Sequence, residues 1–157
     1  MVDTRADPRL FVSQRNTYFQ KDLLPSFSGT QPRVSPKNDA ILFASVNDRT
    51  GKRDIYQVSD RGGAPVNLTD TADADETDAS WSRDGSRVAF ATDRHHDDQG
   101  KPQYDIWILD LAKPNEPVQI TASASRDDCP ILDLTGTSIY FRSNRGGVWG
   151  IWKMPVK

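Results

Sequence analysis

The sequence predicts an all-β protein built from one supersecondary unit repeated three times. Three observations carry this. First, Phe43, Phe90 and Phe141 each close a short apolar run, and they stand 47 and 51 residues apart. Second, each has the same surroundings. A turn-opening residue (Ser35, Ser82, Asp133) lies eight positions before it, and an alternating segment follows: "DIYQVSD" from Asp54, "DIWILD" from Asp105, "GIWKMP" from Gly150. Third, no segment shows a helical period with caps. A repeat near 50 residues is the signature of blade-like sheets stacked in an array.

In chain order, residues 1–30 read as an N-terminal arm. "LFVSQRNTYFQKD" at Leu10–Asp22 faintly echoes the later "LFASVNDR…DIYQVSD", so a degenerate partial blade of two strands is the alternative. The arm carries Phe11, Tyr18, Phe19, Leu23, Leu24 and Phe27 among Pro and Gly. Such a segment needs a surface to stay ordered, so these six residues are the expected partner contacts.

The first blade is expected at about 31–70. "SPKND" makes a turn, "AILFAS" and "RDIYQVS" are strands, and Gly62-Gly63 turns the chain into "VNLT". The second, at about 78–121, is the clearest. Asp84-Gly85 is a hairpin dipeptide, because Gly accepts the positive φ such turns need. "RVAFAT" and "YDIWILD" follow as strands, and "KPNEP" turns into "VQIT". In the latter strand Ile106 and Ile108 share one face and Trp107 and Leu109 the other. The third, at about 128–157, has "LTGTS", "SIYFRS" and "WGIWKMP", with no counterpart of the "LT" segment after them. The unit is a four-stranded antiparallel meander.

The pattern S-x-D-G-x-x-x-x-F-x-[ST]-D-R … D-I-[YW] … [LI]-T resembles the WD-like β-propeller repeat of the TolB family, over about Gln31–Lys157. The same repeat occurs in propellers attached to prolyl-oligopeptidase-type peptidases. The third repeat departs from it: Asp133 replaces Ser, Asn144-Arg145 replaces Asp-Arg, and Gly150 replaces the Asp of "DIW". The resemblance implies a partial propeller of about three blades. It implies no ligand, because the scaffold serves many functions.

Composition narrows the function classes. The chain has 157 residues, net charge −2 and 27% charged residues, with acids and bases interleaved. That speaks against a nucleic-acid binder, which needs a basic stripe. The longest apolar run, about 40–46, is far short of the ~20 residues of a membrane span, and the N-terminus has no signal-peptide core. A soluble chain is expected, in the periplasm if it follows TolB relatives and otherwise peripheral to a membrane complex. The single cysteine, Cys129, is expected to be a small buried apolar residue.

Catalytic and metal chemistry finds little support. His95-His96-Asp97-Asp98 is read as a solvated insertion loop, since adjacent strand residues point to opposite sides and do not converge on a metal. Asp70, Asp73, Asp75, Glu76 and Asp78 are acidic enough for calcium but lack the glycine and terminal Glu of an EF-hand loop. They are read as a solvated connection between blades. No G-x-S-x-G occurs, and "DRGG" and "NRGG" lack a Walker Lys-Ser/Thr. The Asp48-Arg49 and Asp93-Arg94 pairs recur with the repeat and are read as structural, the carboxylate tying a turn and the Arg pairing across blades.

No catalytic, metal or cofactor residues are assigned, and the chain is read as a non-enzyme. Propellers usually close with four to eight blades, and an unclosed stack leaves apolar faces that need cover. The function expected is a scaffold or accessory subunit, bound to other proteins through its arm and open blade faces. The aromatic arm extends this to a membrane-associated assembly. Two alternatives stand beside it. One is a homodimeric six-bladed propeller binding a small molecule, glycan or peptide in its channel. The other is the propeller half of a split peptidase.

Overall fold

The computed structural model describes residues 11–13, 20–24, 27–97 and 99–156, and within them every regular element is a strand. β1 (Phe11–Ser13) and β2 (Gln20–Asp22) form a small antiparallel ribbon, with Phe11 opposite Asp22. The first blade is β3 (Thr30–Val34), β4 (Ala40–Val46), β5 (Arg53–Ser59) and β6 (Val66–Asn67), hydrogen-bonded in that order. The second is β7 (Glu76–Trp81), β8 (Arg87–His96), β9 (Pro102–Asp110) and β10 (Val118–Gln119). The third has three strands, β11 (Asp127–Leu132), β12 (Ser138–Ser143) and β13 (Gly150–Pro155). All pairings are antiparallel.

The same turn opens each blade because the same hydrogen bonds recur. The N–H groups of Ser35, Ser82 and Asp133 donate to the carbonyls of Ala40, Arg87 and Ser138 at 2.8, 2.9 and 2.9 Å. Gly85 and Gly136 sit at φ 70° and 69°, and Asn38 takes the corresponding strained place at 56°.

Packing follows strand alternation. The Phe anchors all point backward along the stack. Phe43 lies under the arm with Ile41, Tyr56, Val58, Leu23 and Leu24. Phe90 packs with Val88, Ala79 and Leu109 against Leu42, Ala44 and Ile55 of the first blade. Phe141 packs with Leu132 and Ile139 against Ala89, Ala91, Ile106 and Ile108 of the second. All three rings are essentially fully buried. Burying such a side chain contributes roughly 1.5–3 kcal/mol, so Phe90 and Phe141 tie neighbouring blades together and Phe43 ties the arm to the first.

Three expectations change here. The His-His-Asp-Asp insertion is no loop on its His side: β8 and β9 run on through it as a hairpin, pairing His95 with Gln103 and His96 with Pro102. Asp98 lies outside the described residues. Cys129 is exposed rather than buried, because it occupies a bulge where β11 leaves its ladder. The acidic stretch is also no solvated connection throughout, since Ala74, Glu76 and Thr77 are buried between the first two blades.

Candidate interaction surface

The first strands of the blades, β3, β7 and β11, lie side by side. Each breaks register at one residue: Gln31, Asp78 and Cys129, at φ 56°, 55° and 51°. All three stand twelve positions before the Phe anchor of their blade. The bulges are wired to one another. Gln31 Nε2 donates to Asp78 Oδ1 at 2.8 Å, and the Asp78 N–H returns a bond to Gln31 Oε1 at 3.0 Å. The Cys129 N–H then donates to Asp78. Burial, then the nearby Asp128 carboxylate, push the Asp78 carboxyl up, against Arg126 and Arg142. Asp128 itself is held low despite its burial, because Arg142 grips both oxygens at 2.7 and 2.8 Å and Arg126 adds a bond at 2.9 Å.

Carboxylates also stand in both seams between blades. Glu76 accepts from Thr71 and Thr92 at 2.9 Å each and from Arg94 at 3.1 Å. It also shares a hydrogen bond with Asp54. Burial first, and that shared bond second, push its carboxyl up to about 7, against the hydroxyls and Arg94. Asp127 holds the corresponding place in the next blade. Arg145 bonds its Oδ2 at 2.6 Å, while the buried Oδ1 has no hydrogen-bond partner among the described residues. Glu76, Asp54, Asp105 and Asp127 are all fully buried. A substrate atom has no route to them, so the seams are architecture.

The recurrent Asp-Arg pairs are structural in detail, but not across blades. Asp93 Oδ1 accepts the N–H of Asp75 at 2.7 Å, and Asn144 Oδ1 accepts that of Arg126 at 2.9 Å. Arg94 and Arg145 each pair with the carboxylate of their own blade's first strand. Asp48-Arg49 is displaced into the turn after β4, where Arg49 bonds Asp70 at 2.6 Å. Asn47 holds the place of Arg94 and donates to Asp54 at 2.7 Å.

His95 Nδ1 lies 2.9 Å from buried Asp105, so that ring is fixed within the fold. Asp97 caps the hairpin tip, accepting from the N–H groups of Gln99 and Lys101. Asp75 takes the Arg53 N–H at 3.0 Å, and Lys52 lies 3.6 Å away. Among the described residues no three His, Cys, Asp or Glu side chains converge as a metal site. No described helix is long and apolar enough to cross a membrane.

Of the six aromatic and aliphatic arm residues, three have a described setting. Leu23 and Leu24 are buried on the back of the first blade. Phe27 meets Tyr56 and Phe43 edge-on, with centroids 5.0 and 5.9 Å apart. These three therefore spend their apolar surface inside the chain. The backbone of Phe11 lies in β1, while Tyr18 and Phe19 fall outside the described residues.

Among the described residues, the forward face of the third blade is an exposed sheet face. Ile131, Tyr140, Arg142, Ile151 and Lys153 share it, as their cross-strand pairings show. Ile131 and Ile151 are 61% and 75% exposed. The side chains there organise one another: Lys153 Nζ sits 5.3 Å from the Tyr140 ring, and the Arg142 guanidinium lies 4.5 Å from that of Trp149.

No protein-family model matches the chain. An uncharacterised protein of Agrobacterium fabrum is 31% identical over 125 residues, which is 78% of this chain and 39% of that protein. The solved structure of a putative TolB from Agrobacterium tumefaciens is similar with a TM-score of 0.77 at 22% identity, covering 96% of this chain and 52% of that one. TolB from Acinetobacter baumannii gives 0.72 at 19% identity, covering 94% of this chain and 35% of that one. The chain has the fold of a TolB-like propeller segment, and it spans about half or less of the length of these proteins.

Proposed function

We propose that the chain is a non-enzymatic scaffold or accessory element that binds other proteins, with the forward face of the third blade as its principal contact. The observation that carries this reading is the contrast between equivalent positions. Ile55 and Ile106 are fully buried in the two seams, whereas Ile151 is 75% exposed. A face with Ile131, Tyr140, Ile151 and Trp149 exposed together is a patch of the kind that marks protein contacts. Phe11, Tyr18 and Phe19 of the arm extend the proposed contact, and a place in a larger, membrane-associated assembly belongs to the same proposal. So does a periplasmic location like that of TolB relatives.

A foreign partner is favoured over a second copy. Closing two chains into a ring would set this face on the back of the first blade, and Leu23, Leu24 and Phe27 already cover that back. The face also carries Tyr140 and Arg142 where the other two blades have Leu42 and Ala44 or Ala89 and Ala91 to receive a Phe ring. Light scattering tests this. The expected result is a monomer at micromolar concentration that binds an apolar dye, with Ile151→Asp reducing the dye signal. A stable dimer without dye binding would overturn the proposal in favour of the homodimeric ring.

A further inference from the structure

The two seams between blades are built on one plan with different side chains. Glu76 and Asp127 stand fourteen positions before their Phe anchors, Thr92 and Ser143 two positions after, and Arg94 and Arg145 four after. In each blade the carboxylate residue pairs directly with the hydroxyl residue across the first two strands. The preceding blade contributes an aspartate from its third strand, Asp54 or Asp105. Its Oδ1 accepts from a threonine hydroxyl, Thr69 or Thr121, and from the N–H of Thr71 or Ser123. All four carboxylate residues are fully buried.

In the first seam these parts close on one another directly. The Thr71 and Thr92 hydroxyls each donate to Glu76 Oε1 at 2.9 Å, and the Glu76 carboxyl also bonds Asp54. In the second seam three of the same positions have lost one carbon: Asp127 for Glu76, Ser123 for Thr71 and Ser143 for Thr92. Here the parts do not meet. Asp127 Oδ1 is buried with no hydrogen-bond partner among the described residues. Ser143, also fully buried, accepts from the backbone N–H and Nε of Arg145 at 3.2 and 3.0 Å, and its own proton has no acceptor among them. Ser123 Oγ donates instead to the Ser125 carbonyl at 3.3 Å. A lone acceptor and a lone donor thus stand on paired residues in a buried seam. Such groups are rare in native proteins, and ordered water is their usual partner.

We infer that the seam between the second and third blades binds one buried water molecule, which accepts from the Ser143 hydroxyl and donates to Asp127 Oδ1 and to Asp105. It stands where the end of the Glu76 side chain stands in the first seam. A buried water needs about two to four polar partners, and these three supply them. The lost carbons supply the room: a water takes up about 30 Å³ in the liquid, and three carbon groups are missing around one point. The donor set does not suit a metal ion. Asp127 Oδ2 already holds Arg145 at 2.6 Å, and Asp105 is taken by His95, Thr121 and the Ser123 N–H. Calcium or magnesium would need about six oxygens free to turn inward.

The test is a crystal structure of the full chain, with Asp127→Glu beside it. In the unaltered chain a solvent peak should lie about 2.7–3.2 Å from Asp127 Oδ1, Ser143 Oγ and an Asp105 oxygen, with none between Glu76 and Thr92. In Asp127→Glu the longer carboxylate should replace that peak and bond Ser143 directly, as Glu76 bonds Thr92, and the melting temperature should hold or rise. A direct Asp127–Ser143 hydrogen bond in the unaltered chain, or no peak at the site, would overturn the inference. So would a peak with contacts of about 2.0–2.6 Å, the mark of a metal ion. A fall of more than about 5 °C in Asp127→Glu, or failure of that variant to fold, would also overturn it, because the added carbon would then have no water to displace. In solution, nuclear Overhauser effects from water to the Asp127 and Ser143 amides should carry the sign of a molecule tumbling with the protein, and their absence would count equally against the site.

Discussion

Ile106 and Ile151 occupy the same place in consecutive blades, yet one is wholly enclosed and the other is 75% exposed. Each lies one strand outward from its Phe anchor and faces forward along the stack. The difference is whether another sheet lies in front. The third blade buries Ile106 with Leu132, Ile139 and Phe141.

Truncation at the equivalent positions should therefore cost unequal amounts. Ile55→Ala and Ile106→Ala should each destabilise by about 2–5 kcal/mol, because each leaves a cavity in a seam. Ile151→Ala should stay within about 0.5 kcal/mol. Urea unfolding midpoints of the three variants measure this directly.

Gly29 permits the arm to enter the first blade. A Cβ at this residue would stand 2.7 Å from Cδ2 of Phe43. Phe43 is fully buried and stacks on Tyr56, so it has little room to give. Gly29→Ala should cost roughly 1–3 kcal/mol by overpacking, seen as a lowered melting temperature.

Glu76 gives the fold a pH dependence of definite sign. Its carboxyl is raised from 4.5 to about 7 by burial and the bond to Asp54. Between those values the folded chain holds a proton that the unfolded chain has lost. Stability should then be highest below about pH 4.5 for this group and decline as pH rises through 7, by at most roughly 3 kcal/mol. Glu76→Gln should remove that slope, as unfolding midpoints at pH 5 and pH 8 will report.

Cys129 should be accessible but sluggish. It is exposed, while burial of the sulfur and then the Asp78 and Asp128 carboxylates hold the thiol above its ordinary 9.0. Alkylation of the native chain should proceed more slowly than that of free cysteine at pH 8 and accelerate in Asp78→Asn. A rate equal to free cysteine in both proteins would contradict the assigned environment.

The parts of this fold legible in the sequence are those where position dictates residue type. The Phe anchors need one large ring per blade, and the opening turns need Gly or Asn. The β-bulges escaped because the left-handed backbone at Gln31, Asp78 and Cys129 is met by three unrelated side chains. The Asp-Arg repeat misled by two residues, since Asn47 rather than Arg49 holds the place of Arg94. Leu23, Leu24 and Phe27 read as partner contacts because apolar character does not say whether the surface it meets belongs to the same chain. Exposure of the third blade depends on what stands in front of it, which periodicity does not encode.

The most direct test places a photo-activatable phenylalanine at position 140, on the open face, and separately at position 113, on an exposed turn of the second blade. Irradiation in the source cells should give a discrete adduct with another protein from position 140 and none from 113, and Ile151→Asp should abolish it. An adduct of the chain with itself, or equal labelling at both positions, would contradict the assignment of the third blade as the surface that binds a foreign protein.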